Sequence, residues 1–308
     1  MATLILTHPA CLEHDAGPGH PERPQRLLAI MEALAEDEFA ALTRREAPRA
    51  DRELLRLAHP ESHIDHVLGS VPASGYRALD GDTVLSPGSG EAALRAAGAV
   101  AAAVDAVMAG DFVNAFCAVR PPGHHAEPGR AMGFCLFNNI AIGALHARVR
   151  HGLARVAVVD FDVHHGNGTQ AIFERDPSLF YGSSHQSPLY PGTGAQSERG
   201  VGNIVNVPLR AHTESAGFRQ AVASQLLPAL ESFAPDMILI SAGFDAHTDD
   251  PLAALDLVEA DYFWITAELV GLARRLCRGR IVSALEGGYH LPALAASVAA
   301  HIRALMAA

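Results

Sequence analysis

Cysteine is scarce: four residues in 308 (Cys11, Cys117, Cys135 and Cys277), far apart and with no CxxC spacing. This argues against a disulfide framework or a thiolate metal site and points to buried small hydrophobes in a reducing compartment. Positive charge is also short, with 23 Lys and Arg against 34 Asp and Glu and a formal net charge of −11. That balance argues against a general nucleic-acid binder but is compatible with a cationic substrate. No GxSxG elbow is present and no cysteine has a nucleophile's context, which disfavours acyl-enzyme chemistry. The first eight residues, Met1 to His8, lack a basic leader and a signal-length apolar core; they read as a first strand, and a cytoplasmic protein is expected. The longest apolar stretch, Ala92 to Met108, is mostly alanine and contains Arg95 and Asp105. It reads as a core helix rather than a membrane span. Internal repeats, low-complexity segments and interdomain linkers are lacking.

What is present is alternation. The chain is 49% hydrophobic, enough to bury a large core, and helix-like and strand-like segments follow one another throughout. Helices are predicted at Gln25 to Leu34, Arg52 to Leu57, Glu61 to Leu68, from about Glu91, up to about Arg150, near Thr169 to Glu174, and over Glu214 to Phe233 and Glu259 to Cys277, with one more closing the chain. Strands are predicted at Asp111 to Val119, Leu153 to Val159, Leu179 to Ser184, Ile204 to Pro208, Asp236 to Ser241 and Arg280 to Leu285. Residues 70 to 90 read as an extended surface loop. The pattern predicts one α/β domain over residues 1–308.

The strand Leu153 to Val159 leads into Asp160-Phe161-Asp162-Val163-His164-His165-Gly166-Asn167-Gly168. Side chains two apart on extended backbone point the same way, so Asp160, Asp162 and His164 should converge at the strand's carboxyl end. A single Asp there would be an ordinary cap, but three potential ligands in alternation suggest a divalent transition metal, zinc first. Gly166 and Gly168 are expected to let the backbone turn sharply. Other strands end in Gly-containing turns that carry His124 and His125, Asp245, or Tyr289. In a parallel sheet those ends share one edge. Asp245 then offers a third ligand beside Asp162 and His164, leaving a position open for water or substrate. Asp160 and Asn167 are available to orient the two histidines, one of which can serve as general base and acid. Tyr289 can stabilise an oxyanion. Together these groups specify amide hydrolysis.

These residues resemble the arginase/deacetylase superfamily, specifically the zinc-dependent histone deacetylases. The resemblance is carried by Arg120-Pro121-Pro122-Gly123-His124-His125, the motif from Asp160 to Gly168, Gly243-Phe244-Asp245 and Glu286-Gly287-Gly288-Tyr289, and runs from His20-Pro21-Glu22-Arg23 nearly to the end. Asn167 and the Glu-Gly-Gly-Tyr motif are similar to the class II and bacterial amidohydrolase branch, which includes acetylpolyamine amidohydrolases. The resemblance implies a single-domain, three-layer α/β/α fold with a mainly parallel, roughly eight-stranded sheet. It implies one zinc on Asp162, His164 and Asp245, His125 as base and acid, His124 with Asp160 as electrostatic partner, Asn167 orienting His125, and Tyr289 on the oxyanion. Gly133, Phe134 and Tyr190 match the substrate tunnel, and Asp82 a rim carboxylate. Structural potassium is implied at Asp160, Asp162, His164, Ser183 and Ser184, and at a second site on Phe173, Asp176 and Leu179, where Asn203 stands in place of the usual aromatic carbonyl donor. The implied partner is an acylated amine such as acetyl-lysine, with no nucleic acid and no membrane; a homo-oligomer is compatible. Two rivals are a dimanganese ureohydrolase, for which Asp245-Ala246-His247-Thr248-Asp249 would supply further ligands, and a binding module for acetyl groups without catalysis.

Overall fold

The structure, a computed structural model, describes residues 2–308, so of the expected first strand only Met1 lies outside it. The strands are β1 (Thr3–Thr7), β2 (Thr43–Glu46), β3 (Arg77–Ala78), β4 (Val84–Leu85), β5 (Asn114–Cys117), β6 (Val156–Asp160), β7 (Leu179–Gln186), β8 (Ile204–Leu209), β9 (Met237–Ala242) and β10 (Ile281–Leu285). The helices are α1 (Gln25–Ala33), α2 (Arg52–Leu55), α3 (Glu61–Gly69), α4 (Ser89–Ala109), α5 (Asn139–His151), α6 (Asn167–Phe173), α7 (Ser215–Ala221), α8 (Leu227–Phe233), α9 (Glu259–Leu276) and α10 (Leu291–Met306). Eight strands form one sheet in the order β2-β1-β5-β10-β9-β6-β7-β8, every neighbouring pair parallel. This is the expected eight-stranded α/β architecture, in a wholly parallel form.

The central strands are buried on both faces, which is why they read as largely apolar runs, with Asp160, Ser241 and Ser283 the polar exceptions in β6, β9 and β10. Asn114 and Phe116, two apart on β5, both reach α10: Asn114 Nδ2 donates to Leu305 O at 2.8 Å, and the Phe116 ring lies 5.5 Å from that of His301. α10 therefore covers one face of that strand, and the alanine-rich α4 packs on the other. α4 is long and apolar enough to cross a bilayer, yet most of it is buried inside the fold, as expected for a core helix. All four cysteines are buried and unpaired.

Three segments differ from the sequence reading. β2, Thr-Arg-Arg-Glu, is a mostly exposed edge strand whose charges discourage further pairing and also hide its strand character. Residues 70–90 contain the short β3–β4 hairpin rather than loop alone. The helix predicted from Glu214 to Phe233 is interrupted by a π-turn at Val222–Leu226, just before Pro228. Pro228 has no backbone N–H to donate, and the wider turn absorbs the lost bond.

His301 on α10 is fully buried, with Nδ1 2.6 Å from Thr266 Oγ1 and Nε2 2.9 Å from Ser283 Oγ. Burial pulls its pKa down to about 3. The unfolded chain takes up this proton near pH 6.5 and the folded chain only near the depressed value, so His301 removes stability as pH falls through that window. His301→Gln should therefore gain on the wild type by about 1.4 kcal/mol per pH unit below 6.5. Urea unfolding at pH 7.5, 6.5 and 5.5 tests this; a constant difference between the two proteins would contradict it.

Candidate active site

β5, β10, β9 and β6 are consecutive in the sheet. Their carboxyl ends release the segments bearing His124 and His125, Tyr289, Asp245, and Asp162 and His164. β6 itself ends at Asp160, so Asp162 and His164 stand on the loop beyond it. His164 Nδ1 lies 3.1 Å from Asp162 Oδ1 and 3.1 Å from Asp245 Oδ2, and one donor atom from each residue lies within 4.8 Å of the others. Both aspartates are fully buried. Two buried carboxylates aimed at one imidazole nitrogen need a cation, and this oxygen–nitrogen donor set fits zinc. Asp160 does not join them. Its Oδ2 accepts from His124 Nδ1 and from the Tyr181 hydroxyl, both at 3.0 Å, and its Oδ1 accepts from Asp162 N at 3.1 Å. His247 and Asp249 also stay outside the cluster, so the alternating run that would favour a two-metal site supplies only Asp245.

The two histidine rings are tilted at 45° with centres 4.0 Å apart but sit in opposite electrostatic surroundings. Burial lowers the His124 pKa, but the carboxylates of Asp160, Asp162 and Glu286 outweigh it and hold the ring well above its ordinary value. For His125, burial and the neighbouring His124 and His164 push the pKa well below normal. His125 Nδ1 is 2.9 Å from Asn167 Oδ1, and Asn167 Nδ2 donates to Glu127 Oε1 at 2.8 Å. The amide is thereby oriented oxygen-inward, so His125 Nδ1 must donate and Nε2 keeps its lone pair.

Gly166 and Gly168 have a different role from the one expected. Gly166 has φ −76° and Gly168 lies within α6, so neither needs a glycine-only backbone. What they provide is space: a Cβ on Gly166 would press on Asp160 Oδ2 and, at 2.6 Å, on the Tyr181 hydroxyl, and one on Gly168 would collide with Ala126 O. Gly287 similarly leaves room for the Asp162 and Asp245 carboxylates. Gly288, at φ +119°, is the position where the turn itself requires glycine.

Tyr289 follows that turn. Its backbone N–H donates to Asp250 Oδ2 at 2.7 Å, and the Arg26 guanidinium lies 4.8 Å from its ring centre. Its hydroxyl bonds to none of the described residues. Arg26 also donates to Gly288 O at 2.6 Å and to Glu286 O at 2.5 Å. Fully buried Glu22 pairs with both Arg26 and Arg120, so the His20-Pro21-Glu22-Arg23 segment is tied to the tyrosine loop. Glu286 accepts from Gly123 N at 2.7 Å and His124 N at 3.1 Å. Sequence reasoning gave Glu286, Glu22, Arg26, Glu127 and Asp250 no role. Glu286 and Glu22 stood inside quoted motifs, and that was the available signal.

A cavity of about 180 Å³ opens above these groups, with Phe134, Tyr190, Asp82 and Leu252 on its walls and His125 and Tyr289 inside. The Phe134 ring stands 6.0 Å from Tyr289, and the Tyr190 ring 5.2 Å from His125. Phe134 itself is held at φ +68°, an uncommon conformation for a bulky residue. Asp82 lines the rim, but its Oδ1 already accepts from Gly133 N at 3.1 Å and Thr83 Oγ1 at 2.9 Å. It therefore braces the Gly133–Phe134 turn. A larger hollow of about 700 Å³, near Asp15, His20 and Tyr76, contains no converging metal donors among the described residues.

The two implied potassium sites differ. At the first, Ser183 stands beside Asp160 in strand register, and the carbonyls of Asp162 and His164 accept no backbone hydrogen bond among the described residues. Those free oxygens fit a monovalent cation. At the second, Asn203 Nδ2 lies 2.9 Å from Phe173 O, 3.0 Å from Asp176 O and 2.7 Å from Leu179 O. An ion on those oxygens would need the position the amide nitrogen holds, so Phe173, Asp176 and Leu179 do not fit potassium here.

Similarity to known proteins runs across this whole site. The chain is 39% identical to the histone deacetylase-like amidohydrolase of Pseudomonas aeruginosa, over 93% of this chain and 81% of that one. It is 39% identical to histone deacetylase 14, chloroplastic, of Arabidopsis thaliana, over 99% of this chain and 77% of the relative. The crystal structure of the HDA15 HD domain superposes with a TM-score of 0.93 at 38% identity, covering 100% of this chain and 89% of that one. The histone deacetylase domain matches residues 20–305, which takes in the ends of β5, β6, β9 and β10 that carry the site. The chain thus belongs to the histone deacetylase family, with that family's α/β fold.

Proposed function

We propose that this protein is a zinc-dependent deacetylase that hydrolyses a short N-acyl amide, acetyl-lysine or a related acetylated amine. The observation that carries this is geometric: the Asp162, His164 and Asp245 donors converge beside His125, whose ring lies 5.9 Å from that of His164 and whose Nδ1 is held 2.9 Å from Asn167 Oδ1, with Tyr289 lining the same cavity. The surroundings of the two histidines differ in the matching direction, carboxylates raising His124 and burial lowering His125. A zinc ion held by Asp162, His164 and Asp245 would polarise the amide carbonyl and make water a better nucleophile. His125 Nε2 takes the proton from the attacking water and returns it to the departing amine nitrogen. His124, its Nδ1 proton fixed on Asp160, keeps compensating positive charge beneath the buried carboxylates. The Tyr289 hydroxyl donates to the oxyanion. Phe134 and Tyr190 flank the alkyl stem of the substrate.

The walls suit an alkyl stem: Phe134 and Tyr190 are aromatic and Leu252 is apolar, with the polar groups gathered at His125, His164 and Tyr289. A panel of acetyl, butyryl and longer acyl-lysine peptides together with acetylpolyamines, compared by kcat/KM before and after metal chelation, tests the proposal. Acetyl substrates should rank first and lose turnover on chelation. Turnover that survives complete metal removal, or no amide hydrolysis on any substrate, would refute it.

A further inference from the structure

We propose that this chain has exchanged a cation site for a side-chain amide: the Asn203 NH2 group holds the carbonyls of Phe173, Asp176 and Leu179, so that no potassium is needed or admitted there. The three oxygens come from the end of α6, the following turn and the start of β7, and they face one another in the interior. Converging carbonyl dipoles repel unless something positive sits between them. An ion supplies a full charge; the amide supplies two polar hydrogens spread over three acceptors.

The orientation of the amide follows from its surroundings. Asn203 Oδ1 accepts from Val201 N at 3.2 Å. A flipped amide would set an acceptor against three acceptors and a donor against a donor. Asn203 is buried, and its own carbonyl is committed to Tyr181 N at 3.1 Å. Phe173 O and Asp176 O also receive the N–H groups of Asp176 and Leu179, at 2.9 and 3.0 Å. Every oxygen at this place is therefore satisfied within the protein, in contrast to the open carbonyls of Asp162 and His164. The consequence reaches the catalytic groups, because α6 begins with Asn167, the partner of His125. The helix that carries this residue is anchored at its far end without an ion.

The test reads cation binding and stability rather than turnover, so its failure is separable from that of the deacetylase reading. Crystals of the zinc-loaded protein soaked in thallium(I) should show no anomalous peak among the Phe173, Asp176 and Leu179 carbonyls; a peak there overturns the proposal. Asn203→Ala leaves those oxygens unopposed. In choline buffer its Tm should fall by roughly 2–8 °C. Potassium should restore most of that loss, well beyond its effect on the wild type, and thallium should occupy the vacated place. A variant no more responsive to potassium than the wild type would also overturn the proposal. Should the variant fail to fold, the wild-type thallium map decides alone.

Discussion

Asp245→Ala should purify with little or no bound zinc and lose on the order of 10³-fold or more in kcat/KM, the scale of several kcal/mol of Lewis-acid stabilisation. Asp245 is the one proposed ligand delivered by a different strand from the other two, so it closes the cluster rather than extending it. It also steadies the loop between Asp162 and His164, because its Oδ1 accepts from Val163 N at 2.9 Å. Alanine removes both functions. Asp245→Asn is the informative companion, since its amide oxygen can still accept from Val163 N while the ligand charge is gone. The expected order of metal content is wild type, then Asn, then Ala, measured by elemental analysis after gel filtration. Full zinc occupancy in the alanine variant would remove Asp245 from the ligand set.

The metal-binding half of this site was legible because its signal is local. Asp162 and His164 are two residues apart and stand just beyond a strand whose burial made it an apolar run. Parallel topology then brings distant strand ends together, so Asp245, His124, His125 and Tyr289 could be gathered from sequence as well. The supports were less visible because each acts through a partner far along the chain. Glu286 receives N–H groups from Gly123 and His124, Glu22 pairs with Arg120, and Asp250 holds the backbone of Tyr289. Spacing carries no trace of such bonds. The glycines show the same limit from the other side. Gly166 was expected to relieve a turn, but it is required because a neighbouring carboxylate and phenol fill the volume a Cβ would take. Asn203 could be seen to depart from the family pattern, but only its three carbonyl contacts reveal what the amide does instead.

Tyr289→Phe should lower kcat by about 10²–10³-fold, the cost of deleting one oxyanion donor, while KM and zinc content stay close to wild type. The reason for expecting so clean a separation lies in how the residue is held. Burial pushes the Tyr289 phenol well above its ordinary pKa, so the hydroxyl is a proton donor at neutral pH. Because that hydroxyl bonds to none of the described residues, its loss leaves no buried partner unsatisfied. The ring is positioned by other contacts: Asp250 on its N–H, Arg26 on Gly288 O and beneath the ring, and Phe134 edge-on. Phenylalanine preserves all of them, so the variant should differ only where charge develops on the substrate oxygen. Steady-state kinetics on an acetyl-lysine peptide, with metal content measured on the same sample, reads the two effects apart. A wild-type kcat would exclude Tyr289 as the oxyanion donor. A parallel loss of zinc would show instead that the phenol supports the metal centre.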